Sequence, residues 1–152
     1  MSNELRQRAL RLLSLRDHAR AELKKKLAPH AESEEALEAL LDDLAGRHLL
    51  SDNRYAEMRV STRGARYGNA RLAQELKMQG VSAEDTAEAI AGAGDELVRA
   101  HGIWTRKFGT LPVDASERAR QTRFLMNRGF SAETIRRLLR GEGGEPDNAE
   151  NN

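Results

Sequence analysis

The sequence predicts an all-α protein of three tandem three-helix modules, which form an elongated, curved array followed by a disordered C-terminal tail. The first observation behind this prediction is that apolar residues follow helical spacing along the chain. The second is an internal repeat with a period of 49 residues, a length typical of a repeated supersecondary unit. Two sets of residues carry the repeat: Ser33, Ser82 and Ser131, and Leu27, Leu76 and Leu125.

The repeat places the modules at residues 1–50, 51–93 and 94–140, and leaves a tail at residues 141–152. Helices this short are marginal in water by themselves, so each is expected to bury its apolar stripe against its neighbours. The tail reads GEGGEPDNAENN and contains a single apolar residue, Ala149. Because such a composition cannot offset the entropy cost of folding, we expect the tail to be disordered.

The first module is predicted to contain three helices. Its second helix ends before Pro29, whose ring cannot continue a helix. Its third helix begins at Ser33, where a hydroxyl can accept an unpaired backbone N–H, and ends near Gly46. Its first helix carries an apolar stripe at helical spacing: Leu5, Ala9, Leu12 and Leu13.

The second module has clear boundaries. A start signal at Ser51 opens its first helix, and Gly64 and Gly68 mark a break before the second helix. Leu72 and Leu76, four residues apart, define the predicted second helix. Ser82 and Asp85, three residues apart, predict a capping box at the start of the third helix.

The third module is predicted to pack its helices around an aromatic residue. Gly109 and Pro112 mark a loop, after which Asp114 and Glu117 have the spacing of a capping box at the second helix. The core is expected to contain one face of the first helix and the end of the last helix: Leu97, Ala100, Trp104 and Phe108, then Ile135, Leu138 and Leu139.

Charge alternates along the chain although the net charge is only +1. Residues 1–28, 54–79 and 101–140 carry +5, +4 and +6, whereas residues 29–53 and 80–100 carry −6 and −4. One interpretation is solvated helix faces with internal ion pairs, each of which contributes little stability. The other is a basic stripe along one side of the array, able to follow a polyanion or an acidic groove.

The sequence contains no catalytic motif. It has no cysteine, which excludes disulfides and thiolate chemistry, and no apolar run long enough to span a bilayer. The four histidines lack the spacing of a zinc site, and Gly64 and Gly68 lack the lysine of a phosphate-binding loop. We therefore expect a cytoplasmic protein that is not an enzyme and uses neither a metal nor a cofactor.

Three segments occur in an order that is characteristic of one family. They are RDHARAELKKKL at residues 16–27, the stretch from SDNRYAEMRV to LAQELKMQGVS at residues 51–82, and KFGTLPVDASERARQTRFLMNRGFSAETIRRLL at residues 107–139. Together they resemble the RecX family of bacterial regulatory proteins, and the resemblance covers residues 5–140.

This resemblance implies a regulator of the RecA recombinase. Such a protein binds the RecA filament on single-stranded DNA and restrains its ATPase, strand-exchange and co-protease activities, so regulating recombinational repair and the SOS response. The partners implied are RecA and the single-stranded DNA within its filament, with bare DNA as a weak further partner and no membrane, and the protein is expected to be a monomer. The alternative function is a stand-alone DNA-binding module whose basic helix pairs hold phosphates.

The candidate filament- or DNA-binding surface consists of basic residues and one tyrosine. Tyr67 could stack on a base or on a partner side chain, or it could seal the turn by packing on the module core. Packing is the favoured interpretation, because half-buried tyrosine is common. The full set is Lys24, Lys25, Arg63, Arg66, Tyr67, Arg71, Lys77, Arg118 and Arg123.

Overall fold

The computed structural model describes residues 2–144, and every regular element in that range is helical. The prediction of an all-α fold is therefore confirmed. A 3-10 turn, Ala28–His30, follows the second helix. The α-helices of the described range are α1 (Ser2–Leu15), α2 (Arg20–Leu27), α3 (Glu34–Gly46), α4 (Asp52–Arg63), α5 (Asn69–Met78), α6 (Ala83–Ala91), α7 (Glu96–Lys107), α8 (Ala115–Asn127) and α9 (Ala132–Leu139).

The repeated serines cap the third helix of each predicted module. Ser33, Ser82 and Ser131 precede α3, α6 and α9, and each hydroxyl accepts the backbone N–H of the third residue after it. The three distances are 3.0, 3.1 and 3.1 Å. Such a cap stabilises a helix start by about 1 kcal/mol.

The repeated leucines occupy equivalent core sites. Leu27, Leu76 and Leu125 are all fully buried, with 0% of their surface exposed. Each lies near the end of the helix that precedes a serine cap, in α2, α5 and α8. The register that the sequence predicts is therefore present in the structure.

The turn before the capped helix differs between repeats. Gly80 and Gly129 have φ angles of 77° and 90°, a left-handed conformation that glycine adopts with little strain. The equivalent Ala31 is extended, with φ −85°, because the 3-10 turn that contains Pro29 has already reversed the chain. The repeat therefore keeps its helices and caps but not its turn geometry.

The acidic residues of the two predicted capping boxes, Asp85 and Glu117, accept hydrogen bonds from other side chains. The Asp85 carboxylate accepts a hydrogen bond from Asn53 at 3.1 Å, so it connects α6 to α4. Asp114 accepts the N–H of Glu117 at 2.8 Å, as predicted, but the Glu117 carboxylate accepts from Gln121 at 3.2 Å. These carboxylates therefore link helices or successive turns of one helix.

The described chain forms two units, each with its own core. The first comprises residues 1–60 and 74–89, and the second comprises residues 61–73 and 90 onward. The core of the first unit joins α1, α2 and α3 through Leu5, Ala9, Leu23, Leu27, Leu37, Leu40, Leu41, Leu44 and Leu50. The core of the second joins α7, α8 and α9 through Leu97, Ala100, Ile103, Trp104, Leu125, Phe130, Ile135, Leu138 and Leu139.

The chain after α9 is described as far as residue 144. Glu142 accepts hydrogen bonds from Arg137 at 3.3 Å and from Arg140 at 2.9 Å. The remainder of the predicted disordered tail, residues 145–152, lies outside the described residues. Of the helices described, none has the length and apolar character needed to cross a membrane.

Candidate functional site

A loop at residues 64–68 connects α4 to α5 in the second unit, and an arginine from α7 holds it. The Arg99 guanidinium donates to the carbonyl oxygen of Gly64 at 3.0 Å and to that of Tyr67 at 2.7 Å. Burial lowers the pKa of Arg99, and the nearby Glu96 carboxylate opposes that effect. Carbonyls beyond a helix end have no helical partner, so this side chain determines the path of the loop.

Two further arginines reach the same loop. Arg106 of α7 donates to the carbonyl oxygen of Ala65 at 3.1 Å. Arg128, just after α8, donates to the carbonyl oxygen of Arg66 at 3.5 Å. A guanidinium has five N–H donors, so one bond to the loop orients each group and leaves other donors for a ligand.

The loop also docks onto the turn between α8 and α9 through backbone contacts. The Gly68 N–H donates to the carbonyl oxygen of Arg128 at 2.7 Å, and the Ala70 N–H donates to that of Gly129 at 3.2 Å. A Cβ atom at Gly68 would lie 2.4 Å from the Gly129 carbonyl oxygen. The approach therefore requires glycine at position 68.

Glu96, the first residue of α7, accepts hydrogen bonds from residues at the starts of α5 and α9. Its carboxylate accepts the N–H of Asn69 at 2.7 Å, at the first residue of α5. It also accepts from the hydroxyls of Thr134 at 2.7 Å and Ser131 at 3.1 Å, at the start of α9. One carboxylate thus holds α5 and α9 against α7 and supports the geometry of the loop.

Guanidinium groups surround the ring of Tyr67. The Cζ atoms of Arg71, Arg63 and Arg128 lie 3.9, 4.6 and 5.5 Å from the ring centroid. At these distances the negative face of an aromatic ring attracts a cation. Tyr67 is half-buried, and its ring is a contact surface for arginines from α4, from α5 and from the end of α8.

An open groove with a volume of about 720 Å³ lies beside this ring, within the second unit. Phe124 forms part of its wall, with the Arg128 Cζ 5.1 Å and the Lys107 Nζ 5.4 Å from the ring centroid. The edge of Phe124 also meets Phe108 at a centroid distance of 5.4 Å. The groove is lined by Ala65, Arg66, Tyr67, Ile103, Arg106, Lys107, Phe124 and Arg128.

Among the residues that the structure describes, the cations of the groove have no carboxylate partners. Arg66, Arg106, Lys107 and Arg128 line it, and no acidic residue of the described range does. Within residues 2–144, none of these four side chains forms an ion pair with a carboxylate. Four cations close together, without local neutralisation, produce a positive potential that attracts an anionic ligand.

Two basic residues of the first unit, Lys24 and Arg20, form ion pairs with carboxylates. Lys24 forms ion pairs with Glu38 at 2.6 Å and Glu34 at 3.3 Å, and Arg20 pairs with Glu38 and Asp42, each at 2.7 Å. The hydrogen bond that Lys24 donates to Glu38 raises the pKa of Lys24 and lowers the pKa of Glu38. Charge in this region is therefore largely neutralised within the unit.

The structure divides the predicted surface residues among several places. Arg66 and Tyr67 line the groove, and Arg63 and Arg71 contact the Tyr67 ring. Arg118 and Arg123 are exposed on α8 but are not among the residues that line the groove. Lys24, Lys25 and Lys77 belong to the first unit, so a continuous basic stripe stays a prediction.

Sequence reasoning missed six of the eight groove residues, among them three cations and an aromatic residue: Arg106, Lys107, Arg128 and Phe124. A signal for two of them was present, since Phe124 and Arg128 are four residues apart and adjacent on a helical surface. No corresponding signal in the sequence places Arg106 beside Arg66, because the proximity of α7 and the loop at residues 64–68 depends on the tertiary fold.

The groove is suited to an anion and not to a metal. Within residues 2–144, no group of three or more His, Asp or Glu side chains is arranged to hold a metal ion. The lining cations would also repel one.

Comparisons with known proteins agree with the geometry of the fold. Family models described as the second and the third three-helix domains of RecX match residues 51–90 and 94–139. The regulatory protein RecX of Chromobacterium violaceum is 47% identical over 137 residues, which cover 90% of each chain. That of Ralstonia nicotianae is 49% identical over 138 residues, covering 90% of this chain and 87% of the relative.

A solved structure supports the fold independently. The crystal structure of RecX from Lactobacillus salivarius superimposes with a TM-score of 0.79 and covers 93% of this chain and 96% of that one. Its sequence identity is 19%, so this likeness concerns the fold alone. Together with the family models, it confirms the tandem arrangement of three-helix domains.

Proposed function

The chain belongs to the RecX family, and from this premise we propose that it binds the RecA filament on single-stranded DNA. Bound there, it inhibits the ATPase, strand-exchange and co-protease activities of RecA, and so regulates recombinational repair and the SOS response in the cytoplasm. The regulatory names of its relatives support this proposal. No catalytic step by the protein itself is part of it.

The proposal is supported by the groove, which four cations line and which no acidic residue lines within the part of the chain that the structure describes. A filament of RecA on DNA offers phosphates and acidic side chains, both of which such a groove can bind. Contacts between exposed charges are screened over about 8 Å at physiological ionic strength, so they act only once the surfaces are close. The groove would therefore orient the protein on the filament at short range.

Charge reversal in the groove tests this proposal. We expect the double substitution Arg66→Glu with Lys107→Glu to raise the concentration needed to inhibit RecA by about tenfold or more, because like charges facing each other across an interface cost several kcal/mol. Both residues are exposed, so folding should survive. The measurement is single-stranded-DNA-dependent ATP hydrolysis by RecA, titrated with the protein far below equimolar amounts.

A matched control has the same change in net charge elsewhere. Arg8→Glu with Arg11→Glu alters two exposed residues of α1 and should leave inhibition close to that of the wild type. Equal loss in both double variants would attribute the effect to net charge and remove the groove from the proposal. A wild-type protein without any effect on RecA would overturn the proposed function itself.

The second candidate function is a stand-alone DNA-binding module, which the same cationic groove also favours. It predicts tight binding to bare DNA in the absence of RecA and no effect of the protein on ATP hydrolysis at substoichiometric amounts. Measuring bare DNA binding beside the ATPase titration separates the two functions.

A further inference from the structure

The aromatic residues of the groove hold cations on their rings, which bears on what the groove can recognise. We propose that the groove binds the phosphodiester backbone of a single strand without stacking on its bases, and that Tyr67 and Phe124 act as positioning residues for the cations that contact phosphate. This inference rests on the proposed function, which brings the groove to single-stranded DNA.

Cations already lie close to the aromatic rings of the groove. Proteins that bind single strands by stacking offer open aromatic faces to successive bases. Here the Arg71 Cζ lies 3.9 Å from the Tyr67 centroid, the contact distance that a stacked base would need. Arg63 and Arg128 also approach this ring, at 4.6 and 5.5 Å.

The second aromatic residue repeats the arrangement. Arg128 and Lys107 lie 5.1 and 5.4 Å from the Phe124 centroid, and the Phe108 ring meets Phe124 edge to face. Arg128 is therefore shared between the two aromatic rings of the groove. A base that stacked on either ring would therefore compete with these cations for the ring.

The aromatic rings also restrict the conformations of flexible side chains before a ligand binds. An arginine loses rotamer freedom when it binds a phosphate, and a ring that already holds the guanidinium reduces that loss. Arg106 and Arg128 are further oriented by the loop carbonyls of Ala65 and Arg66. The groove therefore presents guanidinium groups whose positions are set before a ligand arrives.

Phosphodiester recognition of this kind does not depend on base identity. An oligomer that keeps the sugar–phosphate backbone but lacks bases should bind as well as one with bases. By contrast, stacking contributes about fivefold or more in affinity for each base engaged.

The test compares oligothymidylate with an abasic oligomer of the same length, both bound to the full chain at low salt and followed by fluorescence anisotropy. We expect the two affinities to agree within about twofold. Tyr67→Leu should weaken binding of both oligomers by the same factor, about two- to tenfold, because the guanidiniums lose their support. Tyr67→Phe keeps the ring and should bind as the wild type does.

Three results would overturn the inference. The first is an abasic oligomer that binds at least fivefold more weakly than oligothymidylate, the loss expected for one stacked base. The second is a Tyr67→Leu variant that loses affinity for oligothymidylate but not for the abasic oligomer. The third is a wild-type protein that binds neither oligomer.

ATP hydrolysis by RecA is measured in parallel, which separates this inference from the function it rests on. Inhibition of RecA without binding to either oligomer would refute the inference and leave the proposed function standing. Equal binding of both oligomers without any effect on RecA would refute the proposed function and leave the inference standing.

Discussion

His18 is a buried histidine just before α2, with 2% of its surface exposed. Its Nδ1 lies 3.1 Å from the carbonyl oxygen of Arg16, and its Nε2 lies 2.9 Å from the Nζ of Lys26. A carbonyl can only accept and an ammonium can only donate, so the ring is neutral and carries its proton on Nδ1. Burial lowers the pKa of His18, and the positive charges of Arg16 and Lys26 act in the same direction.

This histidine predicts a pH dependence of stability. Its folded pKa lies below the ordinary value of 6.5, so the unfolded chain binds more protons between the two values. The free energy of unfolding should be highest above pH 6.5 and should fall as the pH is lowered through the window below it. We expect His18→Gln to remove this part of the dependence, as measured by urea unfolding above and below that pH.

The control is His30→Gln, the same substitution at an exposed histidine, which should keep the contribution of His18 to the pH dependence. The comparison should stay above pH 4.5, the ordinary pKa of Glu38, whose pKa is lowered by the hydrogen bond from Lys24. The same pH dependence in His18→Gln and in the wild type would contradict the prediction.

At the scale of elements, the loop at residues 64–68 is the connection that places the groove. Backbone bonds from Gly68 and Ala70 attach it to the turn after α8, and Arg99 binds two of its carbonyls. These contacts join elements that are far apart in sequence. The position of Arg66 and Tyr67 therefore depends on how closely two backbones approach each other.

Gly68→Ala should lower the free energy of unfolding by about 1–3 kcal/mol, the usual cost of forcing atoms into a filled space. The new Cβ would lie 2.4 Å from the carbonyl oxygen of Gly129, and backbone cannot move aside as a flexible side chain can. Equilibrium unfolding in urea measures the change.

Gly102→Ala, in the interior of α7, is the matched control, since apart from the neighbouring backbone of α7 no atom of the described residues lies within 4 Å of the Cβ position. That substitution should stabilise the protein by up to about 1 kcal/mol through helix propensity. A Gly68→Ala variant as stable as the wild type would show that the close approach to Gly129 is not needed.

For the whole molecule, the net charge of +1 does not show that its basic residues are of two kinds, those paired with carboxylates and those that line the groove. In the first unit, Lys24 and Arg20 of α2 are paired with carboxylates of α3. In the second unit, the cations of the groove have no such partners among the described residues. Net charge and charge runs alone cannot distinguish these cases.

The repeat itself makes a prediction about stability. Leu76→Asp should destabilise the protein by at least about 3 kcal/mol, because the change removes a buried side chain and places an unpaired charge in the core. The same substitution at Leu27 or Leu125 should have a similar effect, since all three are 0% exposed. Circular dichroism and thermal unfolding measure the loss.

Met78→Asp provides the control, on the same helix but at a residue with 75% of its surface exposed. It should change the free energy of unfolding by no more than about 0.5 kcal/mol. If the Leu76→Asp variant had the same unfolding temperature as the wild type, the assignment of the three leucines to equivalent core sites would be wrong.

The helices, their caps and the repeat can all be recognised from the amino-acid sequence. The helices and caps depend on residues within a few positions of each other, such as Ser82 and the N–H of Asp85 at 3.1 Å. The 49-residue period and the family motifs are likewise visible without a structure. Local hydrogen bonding and helical periodicity are sufficient for such features, which is why they could be predicted.

Which cations are neutralised by carboxylates and which line a groove can be seen only in the tertiary structure. Lys24 finds Glu34 on another helix, whereas Arg106 and Arg128 reach loop carbonyls 41 and 62 residues away in sequence. The role of Tyr67 was decided in the same way, because the guanidiniums on its ring come from separate elements. Electrostatic interactions act through space over a few ångströms, so their partners depend on packing and not on distance along the chain.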